Sequence, residues 1–289
     1  MKILVTGANG YLASWLINSL LGEQHSVIGL SRHSSKVQDP GYHHVVTDFT
    51  SGTWESDLPD GPIDCIVHLA QSLRYSEFPA GTADMITINI SSTGSLLQWG
   101  LKNRVSKFVY SSTGNVYTPQ SGLLDENSEC RPASMYGVTK YSAEMICEQF
   151  GQFMEIDIFR IFGLYGPGQT NMLIPRLIDT IRNGREITLR GGKGLFLTPI
   201  YVEDAVNILQ TAISTPLGLG THVFNLAGDE ILDLDEISLR IAEELGVERN
   251  TASPDGVPTS LTGSNWKLRE FFGELRTSSF SANVGRIVA

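Results

Sequence analysis

The chain opens on a pattern that few folds satisfy. A short apolar run rich in branched side chains, residues 2–6, leads at once into Gly7-x-x-Gly10-x-x-Ala13, and apolar residues then recur at helical spacing at Trp15, Leu16, Leu20 and Leu21. This predicts strand, tight turn and helix. Glycines let the backbone approach a pyrophosphate closely, and the exposed amides and positive dipole end of the helix hold the anion. Gly7 and Gly10 are therefore candidate coenzyme-binding residues, with Asn9, Tyr11 and Leu12 in the same segment.

The same alternation continues: strands at 63–69, 107–111 and 155–161, helical patterns at 84–101 and 134–150. It predicts an α/β fold with a doubly wound parallel sheet. Ligands in such sheets bind beyond the carboxyl ends of the strands. Leu69, Ala70 and Gln71 stand where the strand at 63–69 ends, and Ser111 and Thr113 where that at 107–111 ends. The second strand, 26–30, runs into Ser31-Arg32 with no acidic residue to take a ribose 2′-hydroxyl, whereas Arg32 can accept a 2′-phosphate. The coenzyme expected is NAD or NADP, leaning to NADP. Asp48 can accept from the adenine amine or cap a loop. Residues 1–163 are expected to form the dinucleotide-binding domain, receiving a returning segment at about 196–228; residues 164–289, where the pattern loosens, form mainly a substrate-binding lobe.

Tyr136 and Lys140 stand four residues apart within the helical pattern 134–150. That spacing puts both on one helix face, where an ammonium favours phenolate and pulls a tyrosine below its usual value of about 10. Tyr136 is the candidate acid/base.

The formal net charge of −10 argues against a nucleic-acid partner. Three cysteines, Cys65, Cys130 and Cys147, lack metal spacing and point to a reducing compartment. With a first strand beginning at Lys2 and no apolar stretch of spanning length, a cytoplasmic protein without a membrane partner is expected. No metal site is expected: adjacent His43 and His44 point to opposite faces of a strand, and Glu203, Asp204, Asp233, Asp235 and Glu236 open helical patterns where acids suit the dipole. The stretch 251–264, rich in Ser, Thr, Gly and Pro, reads as a long loop.

Taken in order, Val5-Thr6-Gly7-Ala8-Asn9-Gly10-Tyr11, Val67-His68-Leu69-Ala70, Asn89-Ile90-Ser91-Ser92-Thr93-Gly94, Tyr110-Ser111-Ser112-Thr113, Tyr136-Gly137-Val138-Thr139-Lys140, Tyr165-Gly166-Pro167-Gly168 and Pro199-Ile200-Tyr201-Val202-Glu203-Asp204-Ala205 resemble the extended short-chain dehydrogenases/reductases of the NAD-dependent epimerase/dehydratase family, typified by UDP-galactose 4-epimerase. The resemblance spans nearly the whole chain. It implies a Rossmann-type sheet with a smaller C-terminal lobe, Tyr136 as general acid/base, Lys140 on the nicotinamide ribose and Thr113 on the reacting oxygen. It also implies coenzyme contacts at Phe49, Phe162 and Leu164, a part for Asn89 in steadying its helix or a proton path, and a homodimer built from the helices at 84–101 and 134–150. The implied substrate is a nucleotide sugar. Relatives carry asparagine where Gly163 stands and arginine where Leu197 stands, so Asn171, Arg176, Arg190 or Lys193 are the alternative diphosphate partners. Family dehydratases place an Asp-Glu pair after the threonine, where this chain has Gly114-Asn115, which disfavours dehydration. The activities implied are a nucleotide-sugar epimerase working by transient oxidation at C4, or an NADPH-dependent 4-keto-sugar or other carbonyl reductase; a non-catalytic dinucleotide-binding scaffold is the third reading.

Overall fold

The computed structural model describes residues 1–51, 53–58, 61–273 and 275–289. Two compact units are present. The first comprises Met1–Thr118, Cys130–Arg160 and Val206–Phe224, the second Pro119–Glu129, Ile161–Ala205 and Asn225–Ala289.

The first unit is organised by strands β1 (Lys2–Thr6), β2 (Ser26–Ser31), β3 (Tyr42–Val46), β4 (Cys65–His68) and β5 (Lys107–Thr113). Their order in the sheet is β3-β2-β1-β4-β5, continued by Glu155–Ile161 and Gly220–Leu226. The pairs among β1 to β5 are parallel, with Val5 opposite Gly29 and Val67. Near-continuous apolar runs such as Ile3-Leu4-Val5 and Cys65-Ile66-Val67 bury both faces of the sheet, as strands covered by helices on each side must. Leu4, Ile28, Leu30, Ile66, Leu96, Phe108, Ile156 and Ile158 share one core cluster. Strand order reverses at β1 and β4, so the crevice past Thr6 and His68 is the topological switch point where ligands bind. At the other end of β5, Lys107 is pinned to Glu155 at 2.7 Å and Asp157 at 2.9 Å on the neighbouring strand.

The helix expected at 84–101 runs as Thr82–Met85, a π-helical stretch Ile86–Ser91, and Ser92–Lys102. That expected at 134–150 is Met135–Phe150, capped by Ser134, whose side chain accepts from Gly137 N at 3.1 Å.

In the second unit, Tyr165, Ile174, Leu177, Ile178, Leu197, Ile237 and Phe280 form a separate core. The long loop expected at 251–264 is corrected here. Asn250–Ala252 pairs with Glu186–Thr188, and Thr259–Gly263 pairs with Leu195–Leu197 and Leu123–Leu124. Threonine suits a pleated strand, and the partners that complete these ladders lie far away in sequence. The acids expected at helix starts stand there: Glu203 and Asp204 in the first turn of Val202–Ser214, Asp235 and Glu236 in that of Leu234–Leu245, where Asp233 and Glu236 make a reciprocal capping box; Glu203 also pairs with Arg286, and Asp235 with Arg249 at 2.7 Å.

Candidate active site

After β1 the chain turns at Gly7 with φ +67°. A Cβ at Gly7 would lie 2.9 Å from Cα and N of Ala70, in the backbone leaving β4, and one at Gly10 would lie 2.9 Å from the Gly7 carbonyl oxygen. Only glycine fits this close approach. Gly10 caps the helix Tyr11–Gly22 with no side-chain hydrogen bond, so its first amides face outward as an anion cradle. Asn9 Nδ2 donates to the carbonyls of His33 at 2.9 Å and Ser34 at 3.2 Å, fastening this turn to the loop after β2. Tyr11 is half-buried at the helix start, and Leu12 faces the core.

Beneath the turn runs a directed chain of hydrogen bonds. Ala70 N donates to Thr6 Oγ1 at 3.1 Å, and Thr6 Oγ1 stands 2.7 Å from His68 Nδ1. His68 Nε2 stands 3.0 Å from Thr93 Oγ1, which donates to the Asn89 carbonyl at 2.7 Å. Burial drives His68 down to about 3, so the ring is neutral and donates from Nε2 while accepting at Nδ1.

Tyr136 stands in the first turn of its helix. Its hydroxyl donates to Gln71 Oε1 at 3.0 Å, and its ring centroid is 5.5 Å from that of Tyr75. Thr113 Oγ1 accepts from Asn115 N at 3.2 Å and Nδ2 at 3.1 Å, which leaves its own proton to donate toward Tyr136. Loss of water contact pushes the Tyr136 phenol up to about 12, with the Thr113 hydroxyl acting in the opposite direction. The expected pull of Lys140 to below 10 is therefore corrected. Lys140 is itself 1% exposed, its Nζ sits 4.3 Å from the Tyr110 ring centroid, and burial drives it down to about 7. Among the described residues this ammonium has no hydrogen-bond partner. Ser111 Oγ is spent on the His68 carbonyl at 3.1 Å.

A buried ammonium with no hydrogen-bond partner among the described residues and an uncapped glycine turn, both at the carboxyl side of β1, β4 and β5, fit a dinucleotide coenzyme. The sequence profile described as the NAD dependent epimerase/dehydratase family matches residues 3–227. The chain belongs to this family.

Among its relatives is YtcB of Bacillus subtilis, described as an uncharacterized UDP-glucose epimerase, 30% identical over 252 residues that cover 80% of this chain and 78% of YtcB. A UDP-glucose 4-epimerase of Mycolicibacterium smegmatis is 26% identical, over 85% of this chain and 83% of its own. Of solved structures, the UDP-glucuronic acid 4-epimerase from Bacillus cereus in complex with UDP-glucuronic acid and NAD aligns with a TM-score of 0.88 and 26% identity, over 100% of this chain and 98% of that one. MoeE5 in complex with UDP-glucuronic acid and NAD aligns at 0.87 with 25% identity, over 100% and 98%. The fold of this epimerase/dehydratase family member is thus the Rossmann-type α/β fold, with its seven-stranded sheet.

Ser31 Oγ donates to the His33 carbonyl at 2.7 Å, and Arg32 is exposed beside it. Asp48 Oδ1 accepts from Thr50 N at 2.9 Å and so closes its own turn. Phe49 packs its ring 5.2 Å from Trp54 and 6.3 Å from His68. Contacts in the first unit thus join Gly7 to Ala70, Ser111 to His68, and Tyr136 to Gln71 and Thr113.

In the second unit Phe162 is buried against Gly263, and Leu164 pairs with Ile200. Asn171 is exposed with φ +60°, and Arg176 is exposed on the helix Leu173–Arg182. Arg190 is exposed, whereas Lys193 is committed to Asp233 at 2.8 Å. Gly163 has φ +59°, a conformation that asparagine also tolerates. Leu197 is buried in the unit's core, so no cation replaces it in place.

A second network surrounds Asn89, whose partners Ser72 and Thr139 the sequence does not reveal. Asn89, in the π-helical stretch, accepts from Ser72 N at 2.8 Å and donates to Thr139 Oγ1 at 2.9 Å; Thr139 Oγ1 donates to the Tyr136 carbonyl at 2.9 Å. Ser72 Oγ donates to Asp84. The available signal was the run Asn89 to Thr93, too polar for a helix otherwise packed into the core.

Proposed function

We propose that this protein is a nucleotide-sugar epimerase that acts by transient oxidation at C4 of the sugar. The observation that carries this reading is Tyr136 held between Gln71 and Thr113, one helical turn from a buried, partnerless Lys140. The names of relatives, a UDP-glucose 4-epimerase and a UDP-glucuronic acid 4-epimerase, support the sugar class. When bound, the nicotinamide coenzyme supplies reversible two-electron oxidation of an alcohol. Tyr136 Oη takes the proton of the reacting hydroxyl and returns it, while the Thr113 hydroxyl orients the same oxygen. The Lys140 ammonium holds the coenzyme ribose and offsets the charge of the phenolate. Asn115 next to Thr113 is neutral and hydrogen-bonded to it, so no carboxylate stands there to drive loss of water.

The second unit, with Asn171 and Arg176, serves the nucleotide sugar in this reading. The second reading, an NADPH-dependent 4-keto-sugar or other carbonyl reductase, is favoured by Arg32 and by the commitment of Lys193 to Asp233. The NADP preference now rests on Arg32 alone, since the Ser31 hydroxyl is engaged, and the neighbours' complexes with NAD weigh against it. A homodimer is supported by the exposed Ile86, Leu101, Val138 and Met145 on the two expected interface helices, and is tested by light scattering. Among the described residues no helix is long and apolar enough to cross a membrane, which is consistent with the proposed cytoplasmic location.

The deciding experiment incubates the protein with UDP-glucose or UDP-glucuronic acid and either coenzyme, and follows the sugar by proton NMR. Appearance of the C4 epimer without net change in coenzyme is expected. Steady consumption of NADPH with a keto-sugar, and no epimer, would replace the epimerase by the reductase; inertness toward both would sink each reading.

A further inference from the structure

One buried charge next to the Tyr136–Lys140 pair has no part in the chemistry described so far. Glu144 lies one helical turn beyond Lys140 and two beyond Tyr136, so all three share a face of Met135–Phe150. Its carboxylate is fully buried and fully engaged. Arg160 Nε donates to Oε1 at 3.2 Å and Oε2 at 3.1 Å, Arg160 Nη2 donates to Oε2 at 2.7 Å, and Ser112 Oγ donates to Oε1. Ser112 immediately precedes Thr113 in β5, and the Arg160 guanidinium lies 4.7 Å from the Tyr117 ring centroid. A buried ion pair adds little to stability over a well-packed apolar pair, so its presence calls for another explanation.

Lys140 provides it. The titratable groups facing Lys140 are His68 from β4, Tyr110 from β5, and Tyr136, Glu144 and Cys147 from its own helix. Burial keeps His68, Tyr110, Tyr136 and Cys147 uncharged at neutral pH. Cys130, Tyr141 and Glu148 lie toward Arg160. Of the groups that oppose the effect of burial on the Lys140 ammonium, Glu144 comes ahead of Cys147, whose thiol burial keeps neutral. We propose that Glu144 is a positioning residue that favours the charged form of Lys140 in the coenzyme site and, through Ser112, fixes the end of β5 that carries Thr113. The inference rests on the roles of Tyr136 and Lys140 given above.

The test reads Lys140 directly. Its ionisation is followed in the protein without coenzyme by the NMR shift of 13Cε-labelled lysine, assigned with Lys140→Arg, so the result does not depend on the activity. Glu144→Gln is expected to lower the Lys140 midpoint by about one pH unit or more, a tenfold change in its proton affinity. Glu144→Asp should restore most of the difference. In the enzyme assay the same variants should move the upper pH limit of kcat in parallel. Should Glu144→Gln fail to fold, the double variant Glu144→Gln/Arg160→Met removes the pair without leaving a lone guanidinium, and the midpoint should still fall. An unchanged Lys140 midpoint in either folded variant overturns the proposal, even if kcat drops. A shifted midpoint in a protein that epimerises nothing leaves the Glu144 coupling intact and removes only the epimerase reading.

Discussion

The Tyr136 hydroxyl donates to Gln71 across 3.0 Å, and this contact registers the helix of the acid/base candidate against the segment leaving β4. Ala70, one residue earlier, supports Gly7 and donates to Thr6; Ser72, one residue later, donates to Asn89. Three consecutive residues thus tie the glycine turn, the acid/base candidate and the π-helical stretch together. A shift of any one is transmitted to the others through short, directional bonds.

Tyr136→Phe keeps the ring against Tyr75 and removes only the hydroxyl. The expected loss in kcat is about 10²- to 10⁴-fold, the range of a general acid/base, with KM and the melting temperature little changed. Steady-state kinetics beside a thermal melt checks this. Retention of more than a tenth of the activity would assign the proton transfer elsewhere.

Gly7→Ala places a methyl group against the Ala70 backbone in a left-handed conformation. Neither neighbour can give way without moving β4, so a loss of roughly 1–3 kcal/mol in stability is expected. Coenzyme affinity measured by calorimetry should fall at least tenfold, because the amides of the turn move with it. Binding equal to that of the parent protein would show that the pyrophosphate lies elsewhere.

Much of this site could be read from residue order, because a strand, a glycine turn and a helix are local events with local spacing rules. The Tyr136–Lys140 face and the strand ends at Gln71 and Thr113 follow from the same reasoning. What sequence could not supply were the relations set by folding. His68 looked like the end of a strand, yet it is the neutral centre of a chain from Ala70 to Asn89. The direction of the Tyr136 shift is not legible in sequence, because spacing shows that two side chains share a face, not how much water reaches them or that Lys140 turns toward Tyr110. Strands Asn250–Ala252 and Thr259–Gly263 are not legible in sequence because their partners are remote.

His68 carries a pH signature. It titrates near 3 in the fold against 6.5 in an unfolded chain, so the stability it contributes is complete above about pH 6.5 and is lost as pH falls toward 3. His68→Asn removes the proton that unfolding takes up in that window. The fall in melting temperature between pH 6.5 and 4 should therefore be shallower in the variant, although its melting temperature at pH 8 is lower for want of the Thr6 and Thr93 bonds. Parallel acid profiles for the two proteins would mean that His68 is protonated in the fold.

Lys140 shows the converse balance of function and stability. Its midpoint near 7 lies below the 10.5 of a free lysine, so the fold is penalised in full below about pH 7 and regains that stability as pH rises to about 10.5. Lys140→Met keeps an apolar stem over the Tyr110 ring and removes the buried charge. At pH 6.5 the variant should melt higher by at least about 2 °C, and the gain should shrink steadily toward pH 10. Activity should be lost at every pH, since no cation remains to hold the ribose or offset the phenolate. A variant that melts lower than its parent at pH 6.5 would show that Lys140 finds, in solution, a partner strong enough to outweigh its burial.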